Sequence, residues 1–577
     1  MSAAPPSAVL ADLAARHWEF LCHELPLTAV LAGESTPDSV LFRESPADHE
    51  RRYRTARVLL AEVEAIPADG LEAEDRATHA LLRHELGSLR ALHEVAEHLR
   101  PSLFPNSPAL MAAHFANTAS IDDAASAERY VDRLATLPAY LRDLKERLEE
   151  GRERGFRYPR RVLDLVAGST RGIASGPVEA QPWLKPFQRS AAAGREMVRN
   201  AASRAEALAR NELLPAFEEF AAFVEGPLAE GARETVTCTD APLGRELYRA
   251  LLKDQTTLDL GPEEIHELGL SERKRLEGEI EAVAAEAGFP GDVAGYRRFL
   301  AGAEFLVPSK EALRERAQVL CKRIDARIPA FFGLIPRMTY GVETIPEAAA
   351  ERLPPAYAQA NPADRTGPGI FQITSLPARL PTWFLPALTL HEAWPGHLMH
   401  LALLQEAEHL PAFRRHGALR YLVCLEGWAL YCEGLGEEMG IYETPHERYG
   451  RLEGETWRAL RLVVDTGIHW YGWSRERAVE EMARHLALPL PTIEAEVDRY
   501  IAWPGQALVY QLGNLKFREL RRRAEGRLGE RFRIRAFHDA LMAAGAVTLP
   551  VLDDLVEEWL RREDGPTAED GSTDGLR

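Results

Sequence analysis

Cysteine is scarce and unpatterned in this chain: Cys22, Cys238, Cys321, Cys424 and Cys432 are scattered over 577 positions with no Cys-x-x-C spacing. That argues against a disulfide framework and a cysteine zinc site, and it fits a reducing compartment. Long apolar runs are also missing. No stretch reaches eighteen apolar residues, and the opening "MSAAPPSAVLADLAARHWEFL" has neither a basic leader nor an unbroken hydrophobic segment, so a soluble, cytoplasmic protein with no membrane partner is expected. Positive charge is in deficit. The net charge is −19, and the locally basic run "RELRRRAEGR" at 518–527 alternates with Glu and Leu at helical spacing. It reads as a solvated helix face, and no nucleic-acid partner is expected.

Hydrophobic residues make up 46% and charged residues 27%, the balance of a globular chain with a sizeable core. Segments such as "AERYVDRLATLPAYLRDLKERLEEGRERG" repeat apolar positions every three to four residues, which predicts amphipathic helices from residue 8 to about 230. Proline-containing breaks at "RPSLFPNSP" and "ASGPVEAQPWLKP" separate them. No fixed-period repeat suggests a solenoid. Near 235 the text changes: "TTLDL" (256–260) is β-prone, Pro262 suits the first position of a long helix, and the Pro- and Gly-rich stretch 340–387 carries the β-prone "GIFQIT". Helices resume after 387. The expected organisation is mainly α, with an N-terminal helical region 1–235, a second helical region 236–563 holding a small β element, and a polar, disordered tail 564–577.

Chemistry concentrates in "LTLHEAWPGHLMHL", 388–401. His-Glu alone identifies nothing, because it occurs seven times, at His23, His49, His84, His93, His266, His391 and His446. "HEVAEH" (93–98) sets its histidines five apart, on different faces of a regular helix, and reads as a surface helix. In the common zincin helix two histidines lie at i and i+4, and the Glu after the first acts as general base. His391 and His397 are six apart, which at 100° per residue leaves the second about 120° off the first one's face. Pro395 and Gly396 change that expectation: proline removes a backbone donor and glycine permits positive φ, so the pair can end or kink the helix and redirect His397 toward His391. The alternative is a kinked, buried helix with internally bonded histidines.

The downstream text favours a metal. "YLVCLEGWALYCEGLGEEMG" sets Glu426 and Glu433 seven apart on one helical face among apolar residues, where an unpaired carboxylate is costly. Glu426, deepest in the apolar run, suits the third ligand of a His/His/Glu zinc site. "RALRLVVDTGIHWYGWS" carries Arg458, Arg461, Asp465 and His469, with Asp465 and His469 at i and i+4. Asp465 is expected to hold the His469 ring, either in support of the site or as part of an oxyanion donor. "RYIAWPGQALVYQLGNLKFREL" adds a second Pro-Gly break with Tyr500, Gln506, Tyr510, Gln511 and Lys516, which together read as a cleft wall.

In this order, "HEAWPGH", "EGWALYCE", "RLVVDTGIHWYGWS" and "RYIAWPGQALVYQLG" resemble a large bacterial family, the domain-of-unknown-function family numbered eight hundred and eighty-five, grouped with zinc metallopeptidases of the gluzincin type. Weaker echoes at "GRELYRALL", "GPEEIHELGL" and "GPGIFQIT" extend the likeness over most of the chain. The resemblance implies a large two-lobed helical body around a deep cleft, similar to helical metallocarboxypeptidases. It also implies one Zn²⁺ per chain, with His391, His397 and Glu426 as ligands and Glu392 as base. Many members have Gln where this chain has His400, which leaves open whether His400 replaces a supporting contact or competes as a ligand, while Glu433 is expected beside the ligands.

The function expected is zinc-dependent hydrolysis of an amide bond in short peptides or peptide-like metabolites, with Glu392 as base and His469 or Tyr510 stabilising the oxyanion. Arg458, Arg461 or Lys516 would hold a substrate carboxylate. Two rivals remain: a metal-dependent biosynthetic enzyme (lyase, transfer or oxidative step) on the same site, and a non-catalytic peptide-binding scaffold. Retention of Glu392 places the scaffold last.

Overall fold

The computed structural model describes residues 5–564 apart from 26–27, 30–31, 34–42, 106, 352 and 362–365. The polar tail expected from 564 lies, from 565 onward, outside the described residues. Elsewhere the periodic segments form helices. The N-terminal ones are α1 (Pro6–Glu24), α2 (Pro46–Glu64) and α3 (Ala73–Glu94). Ser45 starts α2 with a capping box: its side chain accepts from Asp48 N while the Asp48 carboxylate accepts from Ser45 N, satisfying two donors that the first turn leaves free. Pro262 opens the 25-residue helix α4 (Pro262–Glu286), as expected.

The expected boundary near 235 is not where the apolar cores divide. One core joins Leu10 to Leu86 of the N-terminal helices with side chains from Tyr248 to Leu560. The other joins Leu103 to Ala229 with Leu460 to Ala507. The first three helices therefore pack with the motif half of the chain, a partnership that periodicity cannot encode because it reports which face is apolar and not what covers it.

"GIFQIT" becomes the central strand of a three-stranded sheet made of β1 (Tyr340–Thr344), β2 (Ala356–Gln359) and β3 (Gly369–Ile373), in the order β1-β3-β2. β1 runs parallel and β2 antiparallel to β3, with Ala358 opposite Phe371. "TTLDL" forms no strand. Thr257, at φ +59, closes the preceding helix by donating its N–H to Lys253 O, and Leu258 and Leu260 pack against the first core.

After the sheet come α5 (Leu385–Glu392), α6 (His397–Glu406), α7 (Leu422–Leu435), α8 (Pro445–His469), α9 (Leu490–Ala502) and α10 (Val509–Leu528). α8 is the pivot. Leu460, Val464 and Ile468, four apart, face the second core, while Leu452, Ala459 and Leu462 face the first. α7 and α10 approach backbone to backbone: a Cβ on Gly427 would lie 2.4 Å from Gly513 Cα, and one on Gly513 would lie 2.0 Å from Val423 O. Glycine is required at both positions, and the contact fixes Glu426, the residue before Gly427, beside α10.

Candidate metal centre

Helix α5 stops at Glu392 and α6 starts at His397, so the two histidines stand on separate helices joined by a four-residue turn. Proline acts there as expected. Gly396 does not: its φ is −71°, and what demands glycine is space, since a Cβ would sit 1.9 Å from His391 O and 2.4 Å from Leu390 O. The turn folds back onto the carbonyls of the helix it leaves. Trp428 clamps it from α7 by donating Nε1–H to Pro395 O at 2.9 Å.

The reversal brings the two imidazoles edge to face, with ring centres 4.8 Å apart. Nε2 of His391 and Nε2 of His397 each lie 3.3 Å from Glu426 Oε2. Among the described residues, His391, His397 and Glu426 form the one group of His, Cys, Asp or Glu side chains that offers three ligand atoms within 4.8 Å of one another. Burial alone would raise the Glu426 carboxyl, yet the two imidazoles hold it well below the usual carboxylate range. Burial would lower His391, but Glu426 and Glu433 bring it up to about 9. Two nitrogens and one carboxylate oxygen converging in a buried site could hold a metal ion, and as a donor set they fit Zn²⁺.

Glu433, one α7 face below Glu426, contacts Nδ1 of His391 at 2.8 Å and lies 3.7 Å from Arg458 Nη2. Glu392 turns the other way, with Oε2 accepting 2.8 Å from the N–H of Ala358 on the edge strand β2. Burial pushes its carboxyl up, against the pull of the two histidines. Two neighbouring glutamates are thus driven apart, Glu426 held ionised and Glu392 made readier to take a proton. Tyr510, half-buried on α10, is near enough to Glu426 for that carboxylate to add to burial in raising the phenol, and its ring centre is 4.3 Å from the Arg461 guanidinium carbon.

Several expected residues stand elsewhere. Asp465 does not orient His469: its carboxylate accepts from Tyr248 OH at 2.7 Å and from Gly505 N at 3.0 Å. His469 is fully buried, accepting at Nδ1 from Cys238 N (3.1 Å) and donating from Nε2 to Tyr500 O (2.9 Å). Both ring nitrogens are spent on backbone, so His469 is a brace between α8 and α9 and no oxyanion donor. Lys516 is held by Glu519 at 2.6 Å and Asp553 at 2.5 Å and is no substrate anchor. His400 is buried 6.3 Å from the Trp428 ring, burial pushes it down to about 4, and it is outside the converging group. Arg458 donates to Gly454 O at 3.1 Å beside Glu433. "HEVAEH" is no plain surface helix: α3 ends within it, Ala96 turns left-handed, and the His93 and His98 rings stack 4.1 Å apart.

The reading from residues alone missed Glu496 and Arg499, which sit against Arg461, and the backbone of Ala358, which carries no side-chain signal. Arg499 stands first in the "RYIAWPG" segment, next to the residues named for the cleft wall, so its place in the string was its signal.

Among the described residues no helix is long and apolar enough to cross a membrane. No curated protein matches the chain. Two solved structures are similar to it. One, described as a "putative lipoprotein" from Colwellia psychrerythraea, is 27% identical with a TM-score of 0.90, covering 96% of this chain and 99% of that one. The other, a "putative lipoprotein of unknown function" from Shewanella oneidensis, is 17% identical with a TM-score of 0.73, covering 96% and 100%, and shows the shared fold. The family model described as bacterial protein of unknown function (DUF885) matches residues 26–556, and the chain belongs to that family.

Proposed function

We propose that this protein is a zinc-dependent hydrolase of amide bonds, a gluzincin-like peptidase that acts on short peptides in a cleft beside α5, α7 and α10. The observation that carries the reading is the convergence of His391, His397 and Glu426 with Glu392 next to the first histidine. Zn²⁺ held by those three residues supplies Lewis acidity toward a substrate carbonyl and toward water. Glu392 takes a proton from the attacking water and passes it to the leaving amine, with burial raising its affinity for that proton. Tyr510 donates its phenolic hydrogen to the oxyanion, replacing His469 in that role. Glu433 holds the His391 ring, and β2 holds Glu392 until substrate enters. The presence of a base beside the donor set favours hydrolysis over a scaffold. The five cysteines are few and show no Cys-x-x-Cys spacing, which supports a reducing, cytoplasmic setting.

Metal analysis of purified protein, followed by digestion of a short-peptide library by the zinc-loaded form, tests the reading. About one zinc per chain and cleavage abolished by chelation are expected. A protein that holds no zinc, or that holds it and cleaves no peptide, overturns it.

A further inference from the structure

The geometry points to Arg461 as the anchor for the free C-terminal carboxylate of the substrate, making the protein a carboxypeptidase on short peptides. This rests on the hydrolytic reading of the His391, His397 and Glu426 centre.

The cations near the centre differ in how fully they are matched. Lys516 faces two carboxylates, and Arg458 is set between Glu433 and the Gly454 carbonyl with only its Nε unused. Arg461 and Arg499 share one carboxylate, Glu496, at 3.1 Å and 2.9 Å. Arg499 also donates to Gln506 Oε1, and Arg461 Nε donates to Tyr500 OH at 3.0 Å. Nη1 of Arg461 has no partner although the residue is only 4% exposed. Two guanidinium groups thus share one directly bonded carboxylate, and one buried guanidinium N–H group is unused. A carboxylate is the ligand that answers both, because the planar fork of arginine matches its two oxygens.

Position sets which carboxylate. The guanidinium is flanked by Trp457 at 4.9 Å and Tyr510 at 4.3 Å, which fixes its plane. Arg461 follows Arg458 by three residues on α8, a rise of about 4.5 Å. Arg458 in turn reaches Glu433, the carboxylate on His391. Tyr510 joins the two sites, lying against the Arg461 guanidinium and within reach of the Glu426 charge, so a carboxylate held by Arg461 presents to the centre a peptide bond near the C-terminus. In the reaction, water adds to the carbonyl carbon of that bond, the C–N bond breaks, and the water's protons end on the new carboxyl group and the departing amine.

The test compares N-acetylated tetrapeptide pools with free-acid and amide C-termini, digested by zinc-loaded protein and read by mass spectrometry. Cleavage near the C-terminus is expected, with acids cleaved at least about tenfold faster than amides. Arg461→Gln should shrink that acid-to-amide ratio by about 10- to 100-fold, the worth of a charge-assisted pair, at unchanged zinc content, with partial recovery in Arg461→Lys. Cleavage away from the C-terminus, or equal loss on acids and amides in Arg461→Gln, overturns the assignment. Calorimetric binding of the same two pools to Glu392→Gln and to Glu392→Gln/Arg461→Gln decides Arg461 independently of turnover. A preference for acids lost in the double variant supports the anchor, and no preference in either refutes it. Absence of zinc or of peptide cleavage is instead the failure of the hydrolytic reading.

Discussion

Nδ1 of His391 donates to Glu433 Oε1 at 2.8 Å, which leaves Nε2 of the same ring facing Glu426. The carboxylate therefore selects the tautomer whose free lone pair points at the converging donors and stops the ring from rotating. Glu433→Gln keeps an acceptor but removes the charge, so zinc affinity is expected to fall by about tenfold, within the range for such outer partners. Competition with a chromophoric chelator measures it. Unchanged affinity would reduce Glu433 to a buried counter-ion of Arg458.

Zinc retention should separate the histidines of the motif. His391→Ala, His397→Ala and Glu426→Ala each remove one of three converging ligands and should release the metal, while His400→Ala should keep it, because His400 packs against Trp428 outside that group. Elemental analysis of the four variants reads the outcome directly. Retention in His397→Ala with loss in His400→Ala would reverse the assignment.

Glu392→Gln removes the proton acceptor while preserving shape and the acceptor oxygen for Ala358 N–H. Turnover should drop by at least about a hundredfold, the lower end for a lost general base, at full zinc content and unchanged melting temperature. Near-normal activity would point to the biosynthetic alternative.

The break between His391 and His397 was legible because its cost is local: histidines six apart need a broken helix to meet, and Pro395-Gly396 stands between them. The reason for Gly396 was not, since it lies in the approach of the backbone to His391 O and not in a dihedral angle. Helical class and the β-prone "GIFQIT" followed from periodicity and composition. The union of α1, α2 and α3 with the motif half did not, because an apolar face does not name its partner. The i, i+4 pair Asp465 and His469 misled for a similar reason. Neighbours on a helix face can each find a better partner across the interface, here Tyr248 and Gly505 for one and Cys238 and Tyr500 for the other.

His469→Ala is accordingly a stability variant. It leaves Cys238 N and Tyr500 O without partners in a buried site and opens a cavity, together costing about 3–5 kcal/mol. The melting temperature should fall clearly while the zinc content and kcat of the folded fraction stay as in the parent. A tenfold or greater loss of kcat without loss of stability would restore His469 to the chemistry.

Asp465 gives the fold a pH dependence of its own. It is fully buried, and burial pushes its carboxyl up to about 7 despite the bonds from Tyr248 and Gly505 and the charge of Arg499, which pull the other way. In the unfolded chain the group titrates near its ordinary value of 3.8, so between these limits the folded state binds more protons than the unfolded one. The stability this carboxyl contributes is complete below the unfolded pKa and is lost as pH rises through the folded pKa. Asp465→Asn keeps an acceptor oxygen and cannot ionise. Relative to the parent, the variant should therefore gain about 3 kcal/mol between pH 5 and pH 8. Thermal midpoints of both proteins at the two pH values check this, and a difference that stays constant would mean that Asp465 is already ionised in the folded protein at pH 5.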